Sequence, residues 1–441
     1  MIGRRLAVGL LVGTLGCSSG TGDGSPGHPF GGVGDDDDGA TSGVGIGGDY
    51  DEEETEDGTM SGGNAGDGVD DGAPGGDDLP PGGPQLPDLD CDPQPQWYYP
   101  TEPIVLAPTE IRKWKWIEVP GMKCADNSQG GFFANFTELD DDLLIFFGGG
   151  GVCYDPISCL LDTPLLLGMG PVPELTWGLD AQSSSGIFDR HDPTNPFRDA
   201  NIAYFPHCTG DGHTADKVTM YPGMAAIHQV GYGNVQAAMT VLGPTFENVG
   251  RVTVAGFSAG GIGALANYHQ IAWLFECLGH EPPLLVNDAG PVLRKPYLSD
   301  LAQSSLRNGW GLDATFGELC PECATQGYHL ALERIRQLHP GARTALVNAY
   351  GDGVVRQLYA ALNLDLTFAN DPVGLQSGLV DYAQWTATLP DPTPQTRHRE
   401  FYYHGDRHGA LVVAPLSATP GLAQFLRAQL DDAPGWTSVH P

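Results

Sequence analysis

Positive charge is scarce in this chain. Its 441 residues include 21 Lys and Arg against 55 Asp and Glu, which gives a net charge of −34. The imbalance is greatest in residues 18–90, which hold 19 acidic residues and no Lys or Arg. Because binding to nucleic acid requires a basic surface that neutralises phosphates, the composition argues against a nucleic-acid partner.

Metal-ligand spacing is also missing. The sequence contains no H-E-x-x-H motif, and Cys320-Pro-Glu-Cys323 has no second pair at zinc-ligand spacing. We therefore expect no metal site, and we interpret Cys320 and Cys323 as a small structural staple. With Cys17 set aside, eight cysteines remain. An even number in an exported chain predicts disulfides, although 105 pairings are formally possible.

The N-terminus has the features of an export signal. Two arginines precede an apolar segment at residues 6–15, which is too short for a permanent membrane helix. The segment ends in Leu15-Gly-Cys-Ser18, which resembles a bacterial lipobox. Residues 1–17 are interpreted as a lipoprotein-type signal peptide ending at an acylated Cys17, with an outer-membrane lipid anchor. The alternative is ordinary cleavage and a freely secreted protein.

Residues 18–90 differ in composition from the rest of the chain. They are rich in Gly, Asp, Pro and Ser, and such a segment cannot bury enough apolar surface to offset its ordering entropy. We expect a disordered acidic tether here, and no EF-hand spacing supports a calcium role for its Asp runs. The folded domain is predicted to span residues 91–441, without a separate second domain.

Short apolar runs alternate with helical patterns along the folded domain. This alternation predicts an α/β-hydrolase fold with a mainly parallel sheet and helices on both faces. The predicted strands are residues 113–119, 131–136, 143–147, 201–205, 252–255, 284–288, 345–350 and 400–404, and the predicted helices include residues 224–242, 328–338, 354–362 and 418–430.

The segment Gly256-Phe-Ser-Ala-Gly260 follows one of these strands and precedes a helix. It matches the G-x-S-x-G nucleophile elbow, in which a strained turn presents the serine hydroxyl above the sheet. The glycines are needed because a Cβ would collide with the neighbouring strand or helix. Ser258 is the candidate nucleophile; the alternative is an ordinary helix N-cap.

A serine nucleophile needs a base and an acid from later loops. Asp352 lies between two glycines after a buried strand, and is favoured over Asp288, which remains a substitute acid or a residue at the rim of the site. For the base, His408 lies beyond a Gly-Asp turn and is favoured over His404, which we assign to the last strand. Asp406 is expected to shape that turn. We interpret the remaining candidates, His269 and His329, as surface or packing residues within predicted helices.

The oxyanion formed in acyl transfer needs two backbone N–H donors. One is expected from Ala259, the residue after the nucleophile. Others are expected from the glycine run at residues 148–151, about a hundred residues upstream, as in the HGGG-type loops that accompany an elbow.

Four motifs in order resemble the pectin acetylesterase/Notum family, over most of residues 110–415. They are Phe147-Gly-Gly-Gly-Gly-Val-Cys-Tyr-Asp155, Gly186-Ile-Phe-Asp-Arg190 with Asn195-Pro-Phe197, Pro206-His-Cys-Thr-Gly-Asp211, and Gly256-Phe-Ser-Ala-Gly-Gly-Ile-Gly263.

The resemblance implies an α/β-hydrolase carboxylesterase that needs no cofactor. Members remove acetyl groups from pectin or, in the animal branch, a fatty acyl group from a signalling protein. It implies Ser258 as nucleophile, Asp352 as acid and His408 as base. The remaining roles that it implies are an oxyanion hole from the N–H groups of Gly150, Gly151 and Ala259, and disulfides Cys153–Cys159 and Cys124–Cys208.

One departure from the family concerns the oxyanion stretch. Other members place a tryptophan after their glycines, at the position of Val152 or of Gly151, and its absence is expected to open the pocket. We expect a monomeric, exported esterase acting on short acyl groups of an extracellular polysaccharide. The alternatives are a lipid- or polyester-directed esterase, with residues 160–169 as acyl pocket, lid or covering loop, and a catalytically silent binding lipoprotein.

Overall fold

The computed structural model of the chain describes Cys91, residues 95–160 and residues 185–441. Most of its strands form one eight-stranded sheet. The strands are β1 (Lys115–Lys123), β2 (Gln129–Asn135), β3 (Leu143–Phe147), β4 (Asn201–Phe205), β5 (Lys217–Thr219), β6 (Ile227–Gln229), β7 (Val252–Phe257), β8 (Leu284–Asp288), β9 (Arg343–Ala349) and β10 (Arg397–Tyr403).

The order of strands in the large sheet is β1-β2-β4-β3-β7-β8-β9-β10, and β5 pairs with β6 separately. Strands β1 and β2 pair antiparallel with each other, and β2 pairs antiparallel with β4. From β4 to β10 every pairing is parallel. The carboxyl ends of β3, β7, β8 and β9 therefore meet at one edge of the sheet, where ligands bind in open α/β folds.

Helices cover the sheet. They are α1 (Gly231–Thr245), α2 (Ala259–Cys277), α3 (Asp300–Trp310), α4 (Phe316–Leu319), α5 (Cys323–Gln326), α6 (Leu330–Leu338), α7 (Gly353–Asn363), α8 (Leu366–Asn370), α9 (Pro372–Thr386) and α10 (Leu422–Leu430). No helix among the described residues is long and apolar enough to cross a membrane.

The central strand β3 shows why both faces of the sheet are covered. All five of its residues are buried, as expected for a parallel strand between two helical layers. Leu143, Ile145 and Phe147 pack in one core cluster with residues of α1 and α2. Leu144 and Phe146 point the other way, into a cluster with residues of α10. The predicted α/β-hydrolase architecture is confirmed.

The predicted helix at residues 224–242 is wrong in its first part. The structure has the short strand β6 there, paired antiparallel with β5, and α1 begins only at Gly231. The backbone N–H of Gly231 donates to a carboxylate oxygen of Asp211 at 2.8 Å, which satisfies one of the free donors at the start of the helix. The two glycines that weaken the helical pattern therefore mark its beginning.

Eight cysteines form four disulfides. Cys124–Cys208 and Cys153–Cys159 are the pairs that the family resemblance implies, and Cys320–Cys323 closes a short loop between α4 and α5. Cys91–Cys277, whose pairing the sequence leaves open, fastens the beginning of the described chain to the last residue of α2. Disulfides at this density are typical of exported proteins.

Candidate active site

Ser258 occupies the strained turn between β7 and α2. Its backbone has φ 59° and ψ −124°, a conformation that residues with a side chain rarely adopt. A Cβ on Gly256 would lie 1.9 Å from the carbonyl oxygen of Gly260, and one on Gly260 would lie 2.1 Å from that of Phe147. Both positions therefore require glycine, as the elbow motif predicts.

Asp352 and His408 form a buried pair near this turn. The Nδ1 of His408 lies 2.9 and 3.0 Å from the two carboxylate oxygens of Asp352, whose side chain is fully buried. Asp352 also caps α7, because its Oδ1 accepts the N–H groups of Val354 and Val355 at 3.0 Å. The carboxylate of Asp352 thus both caps α7 and contacts His408. In this position it can hold the proton of His408 on Nδ1, which leaves Nε2 able to act as a base.

The structure brings Ser258 and His408 into the lining of the same cavity. Among the described residues, no hydrogen bond joins the Ser258 hydroxyl to the His408 ring, and such bonds often tighten only when substrate binds. His404 is exposed, one residue beyond β10, and its ring lies 5.7 Å from that of Tyr350. Asp406 accepts the N–H of Gly353 through its backbone carbonyl, as a residue that shapes a turn would.

Asp288 is neither at the rim nor bonded to the imidazole. Its fully buried carboxylate accepts the N–H groups of Ala410 and Leu411, each at 2.8 Å at the closest, and its carbonyl oxygen accepts the N–H of Ser258 at 2.7 Å. Burial raises the pKa of Asp288 to about 6, against these backbone donors, which lower it. Asp288 therefore ties the loop that carries His408 to the turn that carries Ser258.

The glycine loop and the residue after Ser258 provide three candidate donors to an oxyanion. The N–H groups of Gly150, Gly151 and Ala259 have no acceptor within the described ranges, and all three residues line the cavity with Ser258. A Cβ on Gly149 would lie 2.9 Å from that of Ser258, which shows how closely the glycine loop approaches the turn. The arrangement can donate hydrogen bonds to a developing oxyanion.

Two buried histidines that sequence reasoning did not single out support the glycine loop. The Nε2 of His213 lies 3.0 Å from the carbonyl oxygen of Gly148. His207 accepts the N–H of Gly212 on its Nε2, and its Nδ1 is 2.4 Å from where a Cβ of Gly150 would stand. Burial lowers the pKa of His213 to about 4 and lowers that of His207 well below its ordinary value.

Asp211 fixes the backbone of the segment that carries His213. Its carboxylate accepts the hydroxyl of Thr209 at 2.6 Å and the N–H groups of His213 and Gly231 at 2.9 and 2.8 Å. Burial raises the pKa of Asp211, and these hydrogen bonds oppose that change. The motif Pro206–Asp211, quoted above for the resemblance, was the signal in the sequence that could have pointed to this support.

The cavity at Ser258 has a volume of about 370 Å³ and a mainly apolar lining. Its wall is provided by α2, α3, α4 and α7 and by Val152. Residues 161–169 of the expected acyl pocket or lid lie outside the described residues. The apolar residues of the wall include Ile262, Leu265, Trp310, Phe316 and Leu358.

The described ranges contain no cluster of three or more His, Cys, Asp or Glu side chains that could hold a metal ion. His329 directly precedes α6 and contacts the ring of Trp385, which is a packing role. His269 lies in α2, as predicted, and its Nδ1 lies 2.8 Å from the Nε2 of His339.

The sheet, the turn at Ser258 and the Asp–His pair define an α/β-hydrolase. The family model for pectinacetylesterase matches residues 113–298. Over these residues the chain is similar to the pectinacetylesterase family.

Curated relatives are similar to a limited part of the chain. Palmitoleoyl-protein carboxylesterase notum1 of Xenopus laevis is 28% identical over 194 residues, which is 43% of this chain and 35% of the relative. The mouse palmitoleoyl-protein carboxylesterase NOTUM is 26% identical over 164 residues, 36% of this chain and 31% of the relative. The matched part thus spans about a third of the length of these relatives.

Solved structures are similar in fold over a larger part of the chain. The Wnt deacylase Notum from Drosophila superposes with a TM-score of 0.57 at 18% identity, covering 74% of this chain and 95% of that one. A second crystal form gives a TM-score of 0.53. At this identity the likeness establishes the shared fold alone.

Proposed function

We propose that the chain is a serine carboxylesterase that works through an acyl-enzyme on Ser258. The observation that carries the proposal is the Asp352–His408 pair, at 2.9 Å, beside a serine with positive φ in one cavity. The similarity of residues 113–298 to the pectinacetylesterase family supports the same chemistry.

The proposed reaction has two halves. The Oγ of Ser258 attacks the ester carbonyl carbon while the Nε2 of His408 takes its proton, and the N–H groups of Gly150, Gly151 and Ala259 stabilise the oxyanion. The bond to the alcohol then breaks, and His408 returns the proton to the leaving oxygen. Water attacks the acyl-enzyme by the same route, which releases the acid and restores Ser258.

A fluorophosphonate probe tests this proposal, because it labels an activated serine covalently. We expect labelling of the wild-type protein and none of Ser258→Ala. A half-buried serine outside the cavity supplies a control, and Ser128→Ala is expected to label like the wild type. Equal labelling of Ser258→Ala, or an unlabelled wild type, would support the catalytically silent binding protein instead.

For the acyl group, the first candidate is acetyl or another short chain on an extracellular polysaccharide. The pectinacetylesterase family model supports it. Release of acetate from acetylated pectin, lost in Ser258→Ala, is the expected result. No acetate release by a protein that hydrolyses p-nitrophenyl esters would exclude this substrate while leaving the esterase chemistry intact.

A second candidate is a longer acyl chain, and the cavity favours it. Its volume of about 370 Å³ is roughly twelve times the ~30 Å³ that one water molecule takes in the liquid, whereas an acetyl group places a single methyl there. Two of the similar proteins are named palmitoleoyl-protein carboxylesterases. Apolar walls favour an apolar chain by about 0.8 kcal/mol per buried CH₂.

The rates at which the protein hydrolyses p-nitrophenyl esters of increasing chain length distinguish these two candidates. Val152→Trp should fill the cavity and shift the preferred ester toward shorter chains, with the exposed Val218→Trp as control. A preference for acetate in the wild type that Val152→Trp leaves unchanged would contradict the long-chain candidate.

The proposed setting is the outside of the cell. Residues 1–17 serve as signal peptide, a lipid on Cys17 anchors the protein at the outer membrane, and residues 18–90 tether a monomeric hydrolase domain of residues 91–441. The disulfides support export. Metabolic labelling with an alkyne fatty acid, lost in Cys17→Ala, tests the anchor, and light scattering after gel filtration tests the monomer.

A further inference from the structure

The backbone of Cys153 lies two residues beyond the candidate oxyanion donor Gly151. Cys153 is fully buried, its N–H donates to the carbonyl of Gly210 at 2.7 Å, and its sulfur is bonded to Cys159. Because the chain holds consecutive Cα atoms about 3.8 Å apart, a shift of the Cys153 peptide would also move Gly151. The position of Cys153 therefore affects the geometry of the oxyanion stretch.

Two side chains from outside the glycine run donate to the carbonyl oxygen of Cys153. The indole Nε1 of Trp310 lies 2.9 Å from this oxygen, and the Nε2 of Gln229 lies 2.5 Å from it. The Oε1 of Gln229 accepts the hydroxyl of Thr219 at 2.6 Å, which fixes the orientation of the amide. A carbonyl oxygen has two lone pairs, so the two donors saturate it. Trp310 is 2% exposed and Gln229 is fully buried, so both bonds are shielded from solvent.

The end of α3, which carries Trp310, approaches the same stretch closely. A Cβ on Gly309 would lie 2.2 Å from the carbonyl oxygen of Tyr154, so a larger residue there requires the backbone to shift. The Nζ of Lys217 donates to the carbonyl of Asn308 at 3.1 Å, which ties the end of α3 to β5. The last turn of α3 and the small β5–β6 sheet therefore hold the backbone after the glycine run together.

Trp310 also lines the cavity at Ser258, next to Gly150, Gly151 and Val152. The indole thus contacts the cavity and, through its N–H, the backbone that follows the oxyanion donors. Such donors act only when they lie about 2.7–3.1 Å from the developing charge, so a small displacement of the stretch is costly. A side chain that fixes the stretch therefore affects the chemical step as well as the shape of the wall.

We propose that Trp310 is a positioning residue for the oxyanion stretch, acting together with Gln229 through the carbonyl of Cys153. The inference rests on the proposed function, because it assigns a role in the same acyl-transfer step. Removal of one donor leaves the carbonyl with a single partner and lets its peptide shift, which misplaces the N–H of Gly151. The loss falls on stabilisation of the oxyanion and not on binding of the ester.

Trp310→Phe tests the proposal, because it keeps an apolar ring at the cavity and removes the N–H donor. We expect kcat for p-nitrophenyl acetate to fall about tenfold with KM nearly unchanged, a smaller loss than the ~100-fold expected for a whole oxyanion donor. The Ki of trifluoroacetone should rise by the same factor. This small ketone forms a hemiketal with the Oγ of Ser258, and the resulting oxyanion needs the same N–H groups.

Trp436→Phe is the matched control. Trp436 is 1% exposed, it does not line the cavity at Ser258, and its indole N–H has no acceptor within the described ranges. The same substitution there should leave kcat and the trifluoroacetone Ki at their wild-type values, even where it lowers the unfolding midpoint. Equal changes of Ki in Trp310→Phe and Trp436→Phe would overturn the proposal, because the effect would then be a general one on folding.

Gln229→Met removes the second donor with a side chain of similar length, and it tests the proposal independently if Trp310→Phe does not fold. Thermal unfolding midpoints identify the folded variants. A rise in Ki that matches the fall in kcat supports the positioning role, and a Ki unchanged in the folded variants overturns it. Failure of the proposed esterase function has a different signature, the absence of fluorophosphonate labelling on Ser258 of the wild type.

Discussion

His408 and the pair of His207 and His213 all belong to the surroundings of the candidate site, but they differ in the kind of partner that each bonds to. His408 contacts the carboxylate of Asp352 and keeps 18% of its side chain exposed at the cavity. His207 and His213 are almost fully buried and bond to backbone groups, His207 to the N–H of Gly212 and His213 to the carbonyl of Gly148. The first environment suits a group that takes up and returns protons, and the second suits a neutral, rigid support. All three residues are histidines, so it is their hydrogen-bond partners and their exposure to the cavity that distinguish His408 from His207 and His213.

The largest expected effect comes from removing the base. His408→Ala should lower kcat for p-nitrophenyl acetate by about 10⁴-fold or more, since Ser258 then has no proton acceptor. His404→Ala is the matched control and should stay near the wild-type rate, because its ring is exposed and does not line the cavity at Ser258. Loss of turnover in His404→Ala with an active His408→Ala would reverse the assignment.

The second-largest loss of activity is expected from replacing the candidate acid, Asp352. Asp352→Asn is expected to lower kcat about 10⁴-fold, because the amide can stabilise the wrong tautomer of His408. Asp406→Asn should keep most activity, since Asp406 acts in the turn through its backbone carbonyl. The two rates are compared with the same ester, together with unfolding curves that show whether the cap of α7 survives. Equal losses in both variants would argue against a special role for Asp352.

A moderate effect is expected on the oxyanion side. Gly150→Ala places a Cβ against the Nδ1 of His207, at 2.4 Å without relaxation, and should displace the loop and lower kcat about 100-fold. His207→Ala makes room for that Cβ, so the double variant should recover part of the loss relative to the product of the single effects. Strictly multiplicative losses would mean that His207 does not support Gly150.

The smallest effect concerns stability rather than rate. The pKa of Asp288 is raised from 3.8 to about 6 by burial, so the folded state binds its proton more tightly than the unfolded state. This group therefore contributes stability below pH 3.8 that is lost as pH rises through about 6. Asp288→Asn cannot titrate, and its free energy of unfolding relative to wild type should rise across that window. Parallel curves in urea at pH 4, 5, 6 and 7 would refute the assignment.

The turn at Ser258 could be predicted because the residues that define it are adjacent in the sequence. Gly256, Ser258 and Gly260 are adjacent in sequence, and the clashes at 1.9 and 2.1 Å explain why the pattern is diagnostic. Asp352 follows the end of β9, where parallel strands present side chains to a site. The start of α1 could not be predicted, since it depends on Asp211, twenty residues earlier.

The supports of the site escaped prediction because they depend on packing between distant segments. Asp288 bonds backbone groups more than 120 residues away, and nothing near it in sequence signals that contact. His269 looked like an ordinary helical residue until the fold placed His339, seventy residues later, against it. Local patterns indicate candidate reacting groups, whereas tertiary contacts decide which other polar groups hold them.

The short segment before the Cys320–Cys323 loop separates the cavity at Ser258 from a second cavity beside α2. Leu312 and Phe316 line the cavity at Ser258, while Ala314 and Thr315 between them line the second one. A change in the path of these five residues reshapes both linings at once. Substitutions that widen the cavity at Ser258 through this segment therefore also alter the neighbouring cavity.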